Sequence, residues 1–172
     1  VLGTEIEKIN EIIPNNKNFK CYVANDNSIG QIVVSGNLTD LNQFSEELKK
    51  NKIKNIKLPV SAPFHCELMR SATDKMREEI EKEEFKKPKI DIISNVTAQP
   101  TNNPNEIKNL LIEQIEKPVR WREIVINMIE SKVEKFIEIG PGKVLSGLVK
   151  RINSNVKLIQ VNDIEDLNNL KW

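Results

Sequence analysis

The chain has 172 residues, enough for one domain or two small ones with a real apolar core. Hydrophobic residues make up 38% and charged residues 30%, the balance of a soluble globular protein, and 26 basic side chains interleaved with 25 acidic ones leave a net charge of +1, which argues against a dedicated nucleic-acid binder. No apolar run approaches the ~20 residues needed to cross a bilayer, no signal peptide is visible, and Cys21 and Cys66 are too few for a disulfide framework, so a reduced, cytoplasmic protein without membrane attachment is expected.

In chain order, residues 1–58 read strand–helix–strand–strand–helix–strand. Thr4-x-x-Glu7 is a capping box that opens a helix to about Ile13. Phe19, Cys21 and Val23 alternate as a half-buried strand does, Gln31 to Ser35 forms the next strand, and Asp26 to Gly30 is the turn between them. Thr39 caps a helix with Leu41, Phe44 and Leu48 on its inner face, and Ile56 and Leu58 close the unit. This order predicts a ferredoxin-like βαββαβ subdomain over 1–58. From residue 59 to 172 helices and strands alternate. A helix buries Leu68, Met69, Ala72, Met76 and Ile80, Ile90 to Ser94 is a short strand, and Asn103-Pro104-Asn105-Glu106 supplies the cap, N1 proline and N3 acid of the next helix. Trp121, Ile124, Val125 and Met128 face inward on a third helix. Lys135 to Ile139 is a strand, Gly140-Pro141-Gly142 a turn, Val144, Leu145, Leu148 and Ile152 line a fourth helix, and Val156 to Val161 is a last strand. The fold class is α/β, with one side of an incomplete open sheet in the second part.

The single histidine, His65, lies in Val60-Ser61-Ala62-Pro63-Phe64-His65-Cys66-Glu67-Leu68-Met69. Pro59 and Pro63 push the residues before them away from helical geometry, so the chain turns helical only at about Phe64 to Glu67. An imidazole there faces the positive end of the helix dipole, which favours the uncharged ring. On position alone a lone histidine is more often structural than catalytic. Gln114 interrupts an apolar stripe of Ile107, Leu110 and Leu111; it is either a stripe-edge amide reaching solvent or a buried group with a specific partner. His65 and Cys66 are adjacent and point in different directions, which argues against a Cys–His dyad. Gly140-Pro141-Gly142-Lys143 lacks the spacing of a phosphate-binding loop and reads as a tight turn.

The wording around His65 resembles the histidine segment of bacterial malonyl-CoA:acyl carrier protein transacylases. Three further stretches resemble the same family in the same order: Asn27 through Gly36, Gln114 with Pro118, Val119 and Trp121, and Ile139 through Leu145. The resemblance covers about residues 3 to 153. It implies a ferredoxin-like subdomain at 1–58 and part of an open, hydrolase-like α/β acyltransferase subdomain at 59–172. It implies that His65 is the base of a Ser–His ping-pong transfer of a malonyl group from CoA to the pantetheine thiol of acyl carrier protein. Gln114 would offer its main-chain carbonyl to the ring and fix the tautomer. Asn27 and Gln31 would hydrogen-bond the pantetheine arm, and Asn95 is a further residue of the substrate cleft. No metal or redox cofactor is implied, since CoA and pantetheine enter as substrate carriers.

One departure matters more than any match. The family carries its acyl chain on a serine in a Gly-x-Ser-x-Gly elbow, followed by an arginine that pairs with the malonyl carboxylate. No such elbow occurs here, and the first arginine is Arg70, after the histidine motif. The family's N-terminal oxyanion-hole segment is missing too. The expectation is therefore a C-terminal portion of such an enzyme, inactive alone. Its rivals are a non-catalytic remnant that binds acyl carrier protein or another partner, and one half of a split enzyme whose serine lies on a separate N-terminal chain.

Overall fold

The computed structural model describes residues 1–15 and 17–170, in which helices alternate with short sheets in an α/β arrangement. The chain divides into two compact units, the first from Val1 to Ile124 and the second from Val125 onward.

The first unit opens with α1 (Ile6–Asn15), which runs past Ile13 and buries Ile9 completely. An antiparallel hairpin follows, β1 (Cys21–Ser28) with β2 (Gln31–Gly36). The strand continues through Ser28, so the turn is only Ile29-Gly30, shorter than the Asp26–Gly30 turn expected. Gly30 has φ +69°, and a Cβ there would meet the backbone of Gly3 at 3.3 Å, so both conformation and close approach call for glycine. Two residues of β1, Ala24 and Asn27, have no partner in the register and bulge out of the ladder. On the far side of β2, Leu2 forms single antiparallel bridges to Gln31 and Lys54.

Helix α2 (Leu38–Lys50) starts one residue before Thr39, because the cap is Asn37, whose side chain accepts the Asp40 N–H at 2.9 Å. Its Phe44 and Leu48 join Ile9, Phe19, Cys21 and Ile32 in the buried core, with Phe19 and Phe44 edge-to-face at 5.4 Å between ring centres. The strand expected to close this unit is reduced to the Lys54 bridge, and Ile56 and Leu58 are exposed. Their apolar side chains match a strand pattern, but no neighbouring strand pairs with them.

After a 3₁₀ turn at Glu67–Met69 comes α3 (Arg70–Lys82), whose buried residue is Thr73, while Leu68 and Met76 are exposed. The apolar spacing located the helix and part of its inner face: Met69, Ala72 and Ile80 are half-buried, whereas Leu68 and Met76 are not. Strand β3 is only Ile92–Ile93, paired with β4 (Pro100–Thr101), and Ile90 lies in the open. Helix α4 (Pro104–Glu113) is capped as its sequence predicts: Asn103 Oδ1 accepts from the N–H groups of Asn105 at 3.0 Å and Glu106 at 3.3 Å. Helix α5 (Trp121–Glu130) begins in the first unit and buries Ile124 and Val125.

In the second unit, β5 (Lys135–Ile139), α6 (Val144–Ile152) and β6 (Lys157–Val161) form a βαβ unit with parallel strands, followed by α7 (Ile164–Asn168). Helix α6 turns Leu148 and Ile152 inward as its spacing predicts, and buries Val149 in place of Val144 and Leu145, which are exposed. The last strand begins at Lys157 rather than Val156.

Candidate active site

His65 sits where the extended segment after Pro59 gives way to the 3₁₀ turn. Its φ is +59°, in the left-handed region. Among non-glycine residues histidine is enriched there, yet such a conformation costs of order 1–3 kcal/mol and persists only where the surroundings over-determine it. Three contacts do so. Ser35 Oγ, on β2, donates to the Phe64 carbonyl at 2.7 Å, the Cys66 thiol donates to the Pro63 carbonyl at 3.1 Å, and the Met69 N–H closes on the Cys66 carbonyl at 3.0 Å. The helix-breaking prolines explain why regular hydrogen bonds begin only at residue 66.

The ring itself is held from α4. His65 Nδ1 lies 2.9 Å from the main-chain oxygen of Gln114, the residue that ends that helix. The last carbonyls of a helix have no intrahelical donor, so this oxygen is available and carries the negative end of the helix dipole. A carbonyl can only accept, so Nδ1 carries the proton, and it is in the neutral ring that Nε2 keeps its lone pair. The Gln114 side chain has a different partner: its Oε1 accepts from Asn95 Nδ2 at 3.3 Å. The half-buried amide is thus satisfied inside the fold.

The loop after Gln114 is tied down repeatedly. Val119 pairs with the bulged edge of β1, donating to Ala24 O at 2.8 Å and accepting from Asp26 N at 2.9 Å. The Arg120 guanidinium grips Glu123 at 2.6 and 2.8 Å and donates to the carbonyls of Val96 and Thr97. Arg122 Nε spans both carboxylate oxygens of buried Asp26, at 2.8 and 3.1 Å. Burial pushes the Asp26 carboxyl up, and Arg122 beside it pulls it part of the way back. Sequence reasoning missed Ser35, Arg120 and the Asp26–Arg122 pair. The bulge that brings β1 to Val119 has no local sequence signal, and 96 positions separate Asp26 from Arg122.

Asn27 and Gln31 flank the hairpin turn and, with Ser35, Phe64, His65 and Leu68, line an open trough of about 1320 Å³. Asn27 is one of the two bulged residues, a position that re-aims a side chain relative to a regular strand. Asn95 and Gln114 line a separate small cavity of about 100 Å³. The structure therefore gathers His65, Asn27 and Gln31 on one trough, and sets Gln114, with Asn95 behind it, against the ring.

Two rival chemistries find no support in the geometry. The Cys66 thiol points back at Pro63 and is 2% exposed, and burial raises its pKa, which is the environment of an inert thiol. Cys21 is likewise buried, its thiol pushed up to about 12 chiefly by desolvation. In the second unit, the amides that a phosphate would need at the start of α6 are occupied. Glu138 accepts the N–H groups of Leu145 at 3.0 Å and Ser146 at 2.7 Å, and Asn162 takes the Gly142 N–H at 2.8 Å. Among the described residues no cluster of three or more His, Cys, Asp or Glu could hold a metal ion, and no helix is long and apolar enough to cross a membrane.

The chain is α/β and holds one imidazole at a helix entry against a main-chain carbonyl. The family follows from the sequence as a whole: residues 7–166 match the acyl transferase domain, and the chain belongs to that family. It is 41% identical over 170 residues to the malonyl CoA-acyl carrier protein transacylase of Bacillus subtilis, a match that covers 97% of this chain and 54% of the relative. The crystal structure of malonyl CoA-acyl carrier protein transacylase from Clostridium perfringens superposes with a TM-score of 0.91 at 42% identity, over 97% of this chain and 53% of that one. A malonyl-transacylase in complex with its type II PKS acyl-carrier protein superposes with a TM-score of 0.90 at 33% identity, over 98% and 55%. The chain thus spans about half the length of the relatives it matches. The resemblance noted around His65 holds across nearly all of the chain.

Proposed function

We propose that this chain supplies the histidine half of a malonyl-CoA:acyl carrier protein transacylase, acting with a serine carried on polypeptide outside these residues. The observation that carries the reading is the 2.9 Å contact between His65 Nδ1 and the Gln114 carbonyl, which leaves Nε2 free to accept a proton. In the first half-reaction Nε2 takes the serine hydroxyl proton while the serine oxygen bonds to the malonyl thioester carbon. The carbon–sulfur bond breaks, and the CoA sulfur leaves with that proton. In the second, Nε2 takes the proton of the pantetheine thiol as its sulfur attacks the acyl-serine. The ester bond breaks, the serine oxygen recovers its proton, and malonyl leaves on acyl carrier protein. A neutral carbonyl orients the ring as a triad carboxylate does but stabilises the imidazolium less.

Asn27 and Gln31, on the trough that His65 shares, bind amides of the pantetheine arm in this reading, and Asn95, in the separate small cavity, acts from behind by holding the Gln114 side chain. The protein works in the cytoplasm, needs no metal or redox cofactor, and meets malonyl-CoA and acyl carrier protein as substrates; the named complex of a relative with its acyl-carrier protein supports that partner. We read 1–58 as the ferredoxin-like subdomain and 59–172 as part of the larger acyltransferase subdomain. The order of pairing, Lys54 to Leu2 to β2 to β1, all antiparallel, supports the first assignment. Incubation with malonyl-CoA followed by intact-mass measurement tests the functional proposal. The chain alone should gain no stable malonyl adduct, and the adduct should form, on the serine, when the serine-bearing segment is present. Turnover with a stable adduct on this chain alone would overturn it.

A further inference from the structure

We propose that Ser35 is a positioning residue for His65, its hydroxyl holding the Phe64 carbonyl and thereby keeping His65 in the left-handed conformation that brings Nδ1 to Gln114. The φ angle of His65 is the rotation that joins two fixed objects. On one side is the Phe64–His65 peptide plane, held by Ser35 Oγ at 2.7 Å; on the other is the imidazole, held by the Gln114 oxygen at 2.9 Å. With both anchors made, φ stands at +59°. Returning φ to the ordinary negative range would rotate the Phe64 carbonyl away from Ser35 or carry the ring off Gln114.

Ser35 is suited to the task because it is buried in a paired strand. It is 8% exposed and lies in β2 opposite Tyr22, next to Gly36, whose missing Cβ would come within 3.1 Å of the Lys20 carbonyl and 3.3 Å of Cys21 Sγ. The strand is packed too tightly there to follow a shifting loop. The Cys66–Pro63 contact closes the same turn on itself, whereas Ser35 ties it to the sheet. Sequence gives no sign of this, since a serine near the end of a strand has many uses.

The inference rests on His65 being the base, but its test reads the ring and not turnover, so the two can fail separately. His65 is the only histidine of the chain, and its ring nitrogens therefore give a single set of ¹⁵N signals that report the tautomer directly. In the unaltered chain with the ring neutral the Nδ1–H form should dominate. Ser35→Ala should lower the ratio of Nδ1–H to Nε2–H by about fivefold, the factor matching loss of one ordinary hydrogen bond. Ser35→Thr, which keeps the hydroxyl, should restore it. Ser45→Ala, which removes a hydrogen bond to Asn55 elsewhere in the first unit, should leave it unchanged. If Ser35→Ala does not fold, Ser35→Cys, close in shape and a weak donor, should show the same fall. An unchanged ratio in a folded Ser35→Ala or Ser35→Cys chain, or an equal fall in Ser45→Ala, would overturn the proposal.

Discussion

The first unit contains two regions built on opposite terms. Around α1, the hairpin and α2, order comes from apolar burial: Ile9 and Leu48 are fully enclosed, and Phe19, Cys21, Ile32 and Phe44 close around them. Between residues 56 and 68 the apolar side chains Ile56, Leu58, Val60, Phe64 and Leu68 are 46–63% exposed, and the backbone is held by hydrogen bonds from Ser35, Cys66 and, through the His65 ring, Gln114. The first region is held mainly by its own buried side chains. The second fixes the direction of one imidazole with little burial of its own, and its exposed apolar side chains suit a segment that meets further polypeptide or substrate.

That contrast can be broken by substitution. Leu48→Ala should cost about 2–5 kcal/mol, since it opens a cavity in the enclosed core. Val60→Ala, at a site 63% exposed, should stay within about 0.5 kcal/mol. Urea unfolding of the two variants side by side measures both, and a large loss at Val60 would show that the second region is packed after all.

A smaller effect should appear where the two regions' supports meet the loop after Gln114. Asp26→Ala strands the Arg122 guanidinium and should cost about 3 kcal/mol, while Asp26→Asn keeps a hydrogen-bond acceptor and should cost less. The pH dependence sharpens this. Burial raises the Asp26 carboxyl in the folded state, so its contribution is most favourable below the unfolded carboxylate range and is lost as pH rises through the folded value. The stability of the unaltered chain relative to Asp26→Asn should therefore grow as pH falls from neutral towards about 4. A relative stability that falls instead would mean the Arg122 pair outweighs desolvation.

How much was legible in sequence follows the same division. Capping at Asn103, the hairpin strands, the core of α2 and the β5–α6–β6 unit depend on local periodicity and turn chemistry, and all could be read directly. The faces of α3 and α6 could be read only in part, because Met76 and Val144 are apolar and exposed while Ala72, Ile80, Leu148 and Ile152 turn inward, and periodicity does not say which stripe a neighbour covers. Segments 56–58 and 90–94 carry strand-like residues, but the first pairs only just before it, through the Lys54 bridge, and the second only at Ile92 and Ile93. His65 was singled out by its prolines and its motif. Its left-handed backbone and the serine that holds it arise from contacts 29 positions apart, which no local pattern records.

The central claim is that the ring of His65 works as the base while the Gln114 main chain, not its side chain, orients it. Malonyl-transfer rates of His65→Ala and Gln114→Ala, measured together in a protein that includes the serine-bearing segment, test it most directly. His65→Ala should lose about 10²–10⁴-fold, the usual worth of general-base assistance, and Gln114→Ala, which keeps the carbonyl, should lose far less. Equal, large losses would contradict the account, because the Gln114 side chain would then be part of the chemistry.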